Sequence, residues 1–317
     1  MEKLQVEKLC RTIVEKCAGI RPGEVALVVS SLTQSLQIAK ELFRSLTARG
    51  SRAALIFLPE VLLTDDRLPP PIAQATKGAD ALLLYTQRPF PPQAHAQALK
   101  GGARSVTMCG LTEQTLWRTA LVDYDRLAET TREVAARLEK ARKVRIKTPA
   151  GTDLSLTLAA APPFACLGTA RKRGEDAFVP SGMVARAVEP GSATGTVVVD
   201  GSLENVGVLT APVTLTVRAG KVSRAEGGEP AQALEHLLNR GDEWARGLAE
   251  IAVGTNPHAQ ISGLMPEDTR VLGTASLGLG RNSHLGGPIS SNSYVRAVLR
   301  QAEVWLGSER LEVAGMR

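Results

Sequence analysis

Glu24-Val25-Ala26-Leu27-Val28-Val29 carries no polar alternation after its first residue, so it reads as a strand covered on both faces. Upstream, residues 2–18 place Leu4, Leu9, Ile13, Val14 and Cys17 near one helical face, and Arg21-Pro22-Gly23 stops that helix. Downstream, a helical pattern over 33–48 ends at Gly50 and gives way to the apolar run 53–58. Further runs at 81–85 and 105–109 alternate with a helix over 92–99. Continuous apolar strands separated by helices predict an α/β, Rossmann-like parallel-sheet N-terminal domain. The turn after the first strand is Ser30-Ser31-Leu32-Thr33 rather than Gly-x-Gly-x-x-Gly, which argues against a dinucleotide. The segments Leu68-Pro69-Pro70-Pro71 and Pro89-Phe90-Pro91-Pro92 read as rigid loops.

A helix over 125–143, with Leu127, Val134 and Leu138 facing inward, leads into Val144-Arg145-Ile146-Lys147-Thr148. From there the pattern changes to alternating strands at 153–158, 195–201 and 213–217. The boundary is therefore expected between residues 143 and 144. It separates domain 1–143 from a mixed, largely antiparallel α+β C-terminal domain, 144–317.

Two domains suit a chain of 317 residues, longer than one hydrophobic core usually serves. Its 44% hydrophobic and 22% charged content is that of a globular protein. No apolar run approaches the roughly 20 residues that span a bilayer, and Met1-Glu2-Lys3-Leu4 does not open a signal peptide. No membrane and a cytoplasmic location are expected. Cys10 and Cys17, seven residues apart on one helix, would lie about 10 Å apart, beyond disulfide reach. With Cys109 and Cys166 they read as reduced packing residues. The net charge of +6 comes from scattered basic residues with only 3% aromatics, so no nucleic-acid partner is expected.

Several ordered motifs carry a resemblance. They are Val122-Asp123-Tyr124, the segment 144–154, Val179-Pro180-Ser181-Gly182-Met183-Val184 and the segment 195–202, followed by 248–257 (Leu-Ala-Glu-Ile-Ala-Val-Gly-Thr-Asn-Pro) and 273–280 (Gly-Thr-Ala-Ser-Leu-Gly-Leu-Gly). From about Val122 onward the chain resembles the thermophilic-type metallo-aminopeptidases, the leucyl-aminopeptidase-like family of aminopeptidase T and aminopeptidase PepS. Its shorter N-terminal half is similar to the related dihydroxypyridine ring-cleaving dioxygenases. The resemblance implies a homodimer, a peptide or small-molecule ligand, and metal: two divalent ions in the peptidases, a single iron in the dioxygenases.

Of the five ligand positions that the peptidase resemblance implies, Glu250 keeps a carboxylate. Met183 and Ser276 occupy two others, and the His-x-Asp pair falls on Tyr294 and Arg296 or, one residue off, on Ser293 and Val295. One carboxylate beside an arginine is a poor cradle for two divalent cations. The expectation is a degenerate site that needs no cofactor and binds a small acidic or peptide-like ligand near Glu250 and Arg296. Met183, Ser276, Asn282 and His284 would line it. Glu250 as a base, with Tyr294 and Arg296 stabilising negative charge, would suit metal-free chemistry. The alternative is an active leucyl-aminopeptidase-like or ring-cleaving-dioxygenase-like enzyme. Its metal site, for zinc, cobalt, manganese or iron, would be rebuilt from Glu250, His258 and His284. Against these stand simpler readings: His258 and His284 as solvent-facing loop residues, and Glu250–Arg296 as an ordinary salt bridge. Asp153, Glu267 and Asp268 read as surface turns, and Cys109 as packing.

Overall fold

A computed structural model of the chain describes residues 2–64 and 68–315. It divides into two compact units. The first comprises residues 1–128 and 167–181, the second 129–166 and 182–317.

The first unit is built on a five-stranded parallel sheet in the order Arg52–Leu58, Val25–Ser31, Ala81–Thr86, Arg104–Cys109, Asp176–Phe178. Its central strands are largely apolar because both faces are covered. Ala26, Val28, Leu83, Tyr85, Val106 and Met108 pack with Leu9 and Ile13 and with Ile38, Leu42 and Leu46 of helix Leu36–Ala48. Leu27, Val29, Leu82 and Leu84 face the other way, toward Ala98 of helix Pro92–Lys100. Ser35 caps the 36–48 helix by accepting the Ile38 N–H, and Gly50, at φ +78°, turns the chain after it. Buried Arg104 is held by Glu24 at 2.6 and 3.1 Å and by the carbonyls of Ala18 and Gly19. The helix expected over 2–18 is α-helical from Lys3–Thr12 and continues as a π-turn over Ile13–Cys17. Leu4, which periodicity puts on the inner face, is exposed.

The second unit has two antiparallel seven-stranded sheets. In strand Val213–Arg218, Val213, Leu215 and Val217 point into the core while Thr214 and Thr216 are half-buried on the other side. The same core takes Ile251, Val253, Leu277, Leu279, Val295 and Ala297 from the second sheet, and Val134, Leu138, Leu234 and Leu238 from helices Tyr124–Lys140 and Gly228–Asn239. None of the four cysteines is in a disulfide.

The α/β class, with a parallel sheet in the first unit and largely antiparallel strands in the second, is as the sequence predicts, and the structure divides the latter into two sheets. The boundary differs. Contacts divide the chain within helix Tyr124–Lys140, which stops before strand Lys143–Lys147, and residues 167–181 return to the first unit with its edge strand. A three-residue strand has too little periodicity to announce itself. No described helix is long and apolar enough to cross a membrane.

Leu277, 1% exposed between the two sheets, tests the shared core. Leu277→Ala is expected to cost about 2–5 kcal/mol, read as a lowered midpoint in chemical denaturation.

Candidate functional site

The second sheet has one apolar face in the core and one face of small and polar side chains. Directly opposed residues in an antiparallel sheet share a face, so register sets the site's composition. One row runs Ala187, Glu250, Gly278, Arg296; the next runs Ala185, Ala252, Ser276, Val298; a third runs Cys166, Met183, Gly254. Val295 pairs with Leu279 in the core, so the register that brings Tyr294 and Arg296 beside Glu250 is the one the fold adopts.

Glu250 reaches this face through an irregularity. Leu248 pairs with Leu279, yet Glu250 pairs with Gly278, so the intervening Ala249 is bulged. The extra residue turns Leu248 into the core and Glu250 to the opposite side, a common use of a bulge beside a functional site. The Ala249 carbonyl accepts from the Val188 N–H and from Asn282 Nδ2 at 2.8 Å. Asn282 also donates to the Val188 carbonyl and accepts the Ile289 N–H. It is a fully buried brace for the bulge, not the ligand contact expected of it.

Gly278 leaves room for the acid. A Cβ there would lie 2.5 Å from Glu250 Cγ and 3.2 Å from Tyr294 Cε2. The Glu250 carboxylate, 1% exposed, has His284 Nε2 2.9 Å from Oε2 and Arg296 Nε 3.4 Å from Oε1. Arg296 Nε donates to the Tyr294 hydroxyl at 2.7 Å, and the Arg296 backbone N–H donates to Glu204 at 2.9 Å. The Tyr294 ring takes the edge of His284 at 5.4 Å between centroids, with the guanidiniums of Arg296 and Arg281 at 4.9 and 5.5 Å. His284 approaches Oε2 off the hydrogen-bonding axis, so that oxygen remains a buried acceptor without an aligned donor.

Burial opposes ionisation of Glu250. The imidazole of His284, the charge of Arg296 and the Tyr294 hydroxyl outweigh it and hold the carboxyl below the usual range. Burial pushes the half-buried Glu204 carboxyl up, only partly offset by Arg296, and raises the Tyr294 phenol so that it stays protonated.

The sequence-derived residues therefore separate. Glu250, His284, Tyr294 and Arg296 come together, and Ser276 and Met183 lie in the neighbouring rows of the same face. The salt bridge expected between Glu250 and Arg296 forms. His258 is exposed, and among the described residues no three His, Cys, Asp or Glu side chains converge, so Glu250, His258 and His284 make no metal cluster. Asp153 is exposed and paired with Arg145. Glu267 and Asp268, read as surface turns, are fully buried and accept hydrogen bonds from Ser202, Gln260, Ser262 and Gly263. Glu204, Arg270 and Arg281 carry no signal in the sequence, whereas Gly278, in the stretch Gly278-Leu279-Gly280, reads as a site of close packing.

A family model described as 2,5-dihydroxypyridine 5,6-dioxygenase (NicX) matches residues 5–315. The 2,5-dihydroxypyridine 5,6-dioxygenase of Pseudomonas putida KT2440 is 24% identical over 261 residues, 77% of this chain and 72% of that protein. The solved 2,5-dihydroxypyridine dioxygenase from the same organism superposes with a TM-score of 0.83 at 19% identity, covering 99% of this chain and 97% of that one. AmpT from Thermus thermophilus superposes at 0.69 with 16% identity over 95% and 94% of the two chains, so the aminopeptidase T fold is shared.

These matches overturn the expectation that no cofactor is needed. The dioxygenases among the proteins matched imply a metal, the single iron that the resemblance above gives that family, since ground-state dioxygen reacts slowly with closed-shell organic molecules unless a metal or cofactor intervenes. The side chains of this face do not themselves fit a three-donor iron centre: Glu250 and His284 offer one carboxylate and one imidazole, and the Arg296 guanidinium lies beside the carboxylate.

Two outcomes follow from the geometry. Gly278→Ala is expected to displace the Glu250 side chain and cost about 1–3 kcal/mol, measured by denaturation. A carboxyl whose folded pKa lies below its unfolded value stabilises fully above the unfolded value and loses that contribution as pH falls through the folded pKa. The stability of the wild type relative to Glu250→Gln is therefore expected to be flat near neutrality and to shrink on acidification below the ordinary glutamate value of 4.5. Thermal denaturation across an acid series checks this, and identical pH profiles for the two proteins would contradict the assigned shift.

Proposed function

From the premise that this chain belongs to the 2,5-dihydroxypyridine 5,6-dioxygenase family, we propose that it binds a small hydroxylated nitrogen heterocycle on the Glu250 face and opens the ring with dioxygen. The observation that carries this reading is the family match running through residues 5–315, both compact units included.

The local chemistry is consistent with such a ligand. Ala185, Ala187, Ala252, Ser276 and Gly278 keep the side chains of this face small, and all are buried. Glu250 Oε2, a buried acceptor without an aligned donor, would take a hydrogen bond or a proton from a ring hydroxyl. Arg296, kept charged by Tyr294, Glu250 and Glu204 against the effect of burial, would offset the negative charge left on the ring oxygen. The protonated Tyr294 hydroxyl can donate to the same oxygen, and the His284 ring, 39% exposed, would bound the ring's outer side. Together these groups orient the ring and favour its ionised form, the more electron-rich and more readily oxidised state.

A second reading has its own support. Arg296 stands where the peptidase resemblance implies a metal ligand and pairs with Glu250, an arrangement suited to retaining a small acidic or peptide-like ligand without turnover.

Oxygen uptake and loss of the pyridine chromophore, measured with 2,5-dihydroxypyridine in the presence and absence of added ferrous iron, separate the two readings. Oxygen uptake with ring opening, and a loss of about 10²-fold or more in kcat for Glu250→Gln, is the expected result. Saturable binding with no oxygen uptake under either condition would favour the retention reading and remove the enzymatic one.

A further inference from the structure

Arg270 is a buried guanidinium without a matching anion. It follows the short helix Met265–Asp268, and its backbone is pinned to the end of the Glu250 strand: the Asn256 N–H donates to the Arg270 carbonyl at 2.8 Å. Gly254 is required at this crossing, since a Cβ would lie 2.1 Å from the Val271 carbonyl oxygen and 2.8 Å from the Arg270 carbonyl carbon. The segment therefore runs over the face that carries Cys166, Met183 and Gly254 in one row and Glu250 two rows away.

The Arg270 side chain belongs to a residue 7% exposed. Nη1 donates to the Thr269 hydroxyl at 2.6 Å, the Cys166 thiol is a second neighbour, and Nε has no acceptor. No carboxylate lies within ion-pair distance of it among the described residues, because Asp268 is engaged by Ser202, Ser262 and Gly263. Its other electrostatic neighbours are Tyr294 and Arg296. A second positive charge nearby, under burial, makes the vacant acceptor position costlier still.

The other buried arginines show how this fold ordinarily satisfies such a group. Arg104 has a two-pronged contact with Glu24 and three backbone carbonyls. Arg186 gives both terminal nitrogens to the carbonyls of Leu138 and Ala159, the first near the negative end of helix Tyr124–Lys140, although its Nε, like that of Arg270, has no acceptor. Arg270 has only a hydroxyl and a thiol. The Nη nitrogens of Arg296 likewise make no hydrogen bond to the protein among the described residues.

We infer that the ring taken on the Glu250 face bears a carboxylate, and that Arg270 and Arg296 together form its subsite. This inference rests on the ring-binding reading above and adds the substrate class: a hydroxylated pyridine carboxylate, bound in preference to the neutral hydroxypyridine. A carboxylate at this position supplies acceptors to both guanidiniums and relieves the repulsion between them. Glu250, 3.4 Å from Arg296 Nε, stands beside this subsite to meet the ring hydroxyl, so the two acidic functions of one ligand are read by opposite charges.

Two probes that differ only in the carboxylate test it: 6-hydroxypyridine-3-carboxylate and 2-hydroxypyridine, titrated calorimetrically into the full-length protein. The wild type is expected to bind the carboxylate roughly tenfold or more tighter. Arg270→Met should abolish that preference and Arg270→Lys should retain part of it. Equal affinity of the wild type for the two probes overturns the subsite whether or not either variant folds, as does a preference that survives in a folded Arg270→Met protein. Preferential binding of the carboxylate without oxygen uptake on any dihydroxypyridine would leave the subsite standing while removing the ring-opening reading. Binding of neither probe removes both.

Discussion

A carboxylate taken out of water needs compensating charge or aligned donors, and the arrangement around Glu250 follows from that requirement. The bulge at Ala249 sets the acid on the face opposite the core, and without that shift its side chain would point into the core beside Leu248, Leu277 and Val295. Once there, it needs a glycine to lie across, a guanidinium and an imidazole nearby, and a brace for the carbonyl that the bulge displaces. Gly278, Arg296, His284 and Asn282 meet those needs from three different segments. The compensation is incomplete at Oε2, and the remaining acceptor is what gives the face a capacity for chemistry beyond self-support.

The parts of the fold that were legible in the sequence are those with many repeats of a simple period. The parallel strands of the first unit show continuous apolar runs because helices cover both faces, and 213–217 shows a clean alternation because only one of its faces is in the core. Short or irregular pieces were not legible. Strand Asp176–Phe178 joins the first unit after a long detour in the chain, and its residues carry no sign of that destination. At the site, Glu250, Tyr294 and Arg296 could be found by their place in motifs, since motif spacing survives in strand register. Asn282 was misassigned because an amide in a Gly-rich loop reads the same whether it faces a ligand or a bulged carbonyl. Glu267 and Asp268 were misjudged for a related reason: acidic residues in a turn are ordinarily solvated, and here backbone amides from residues 260–263 replace the water.

Family membership and local side-chain chemistry carry different information about this chain. The match through residues 5–315 assigns the family, whose members use iron, and so corrects an expectation drawn from ligand positions alone. Those positions nevertheless describe a face in which positive side chains stand close to a single carboxylate. Tyr294 and Arg296 hold each other through a 2.7 Å hydrogen bond and through the ring face, so replacing one alters the orientation of the other. Substitutions at this pair are therefore not additive, and a variant carrying histidine or aspartate at only one position would lose the present network without completing another.

The discontinuous first unit has a consequence for how the chain can be made and divided. Strand Asp176–Phe178 pairs with Arg104–Cys109 through Ser105, Val106 and Thr107, and it emerges from the ribosome only after the first strands of the second unit. Until then the nascent parallel sheet ends in an open row of amides and carbonyls, the kind of edge that recruits other chains. A fragment cut at residue 143 would carry that open edge permanently. The useful cloning boundary is accordingly not a single point along the chain, and a self-contained first unit would need residues 167–181 rejoined to it by a designed linker.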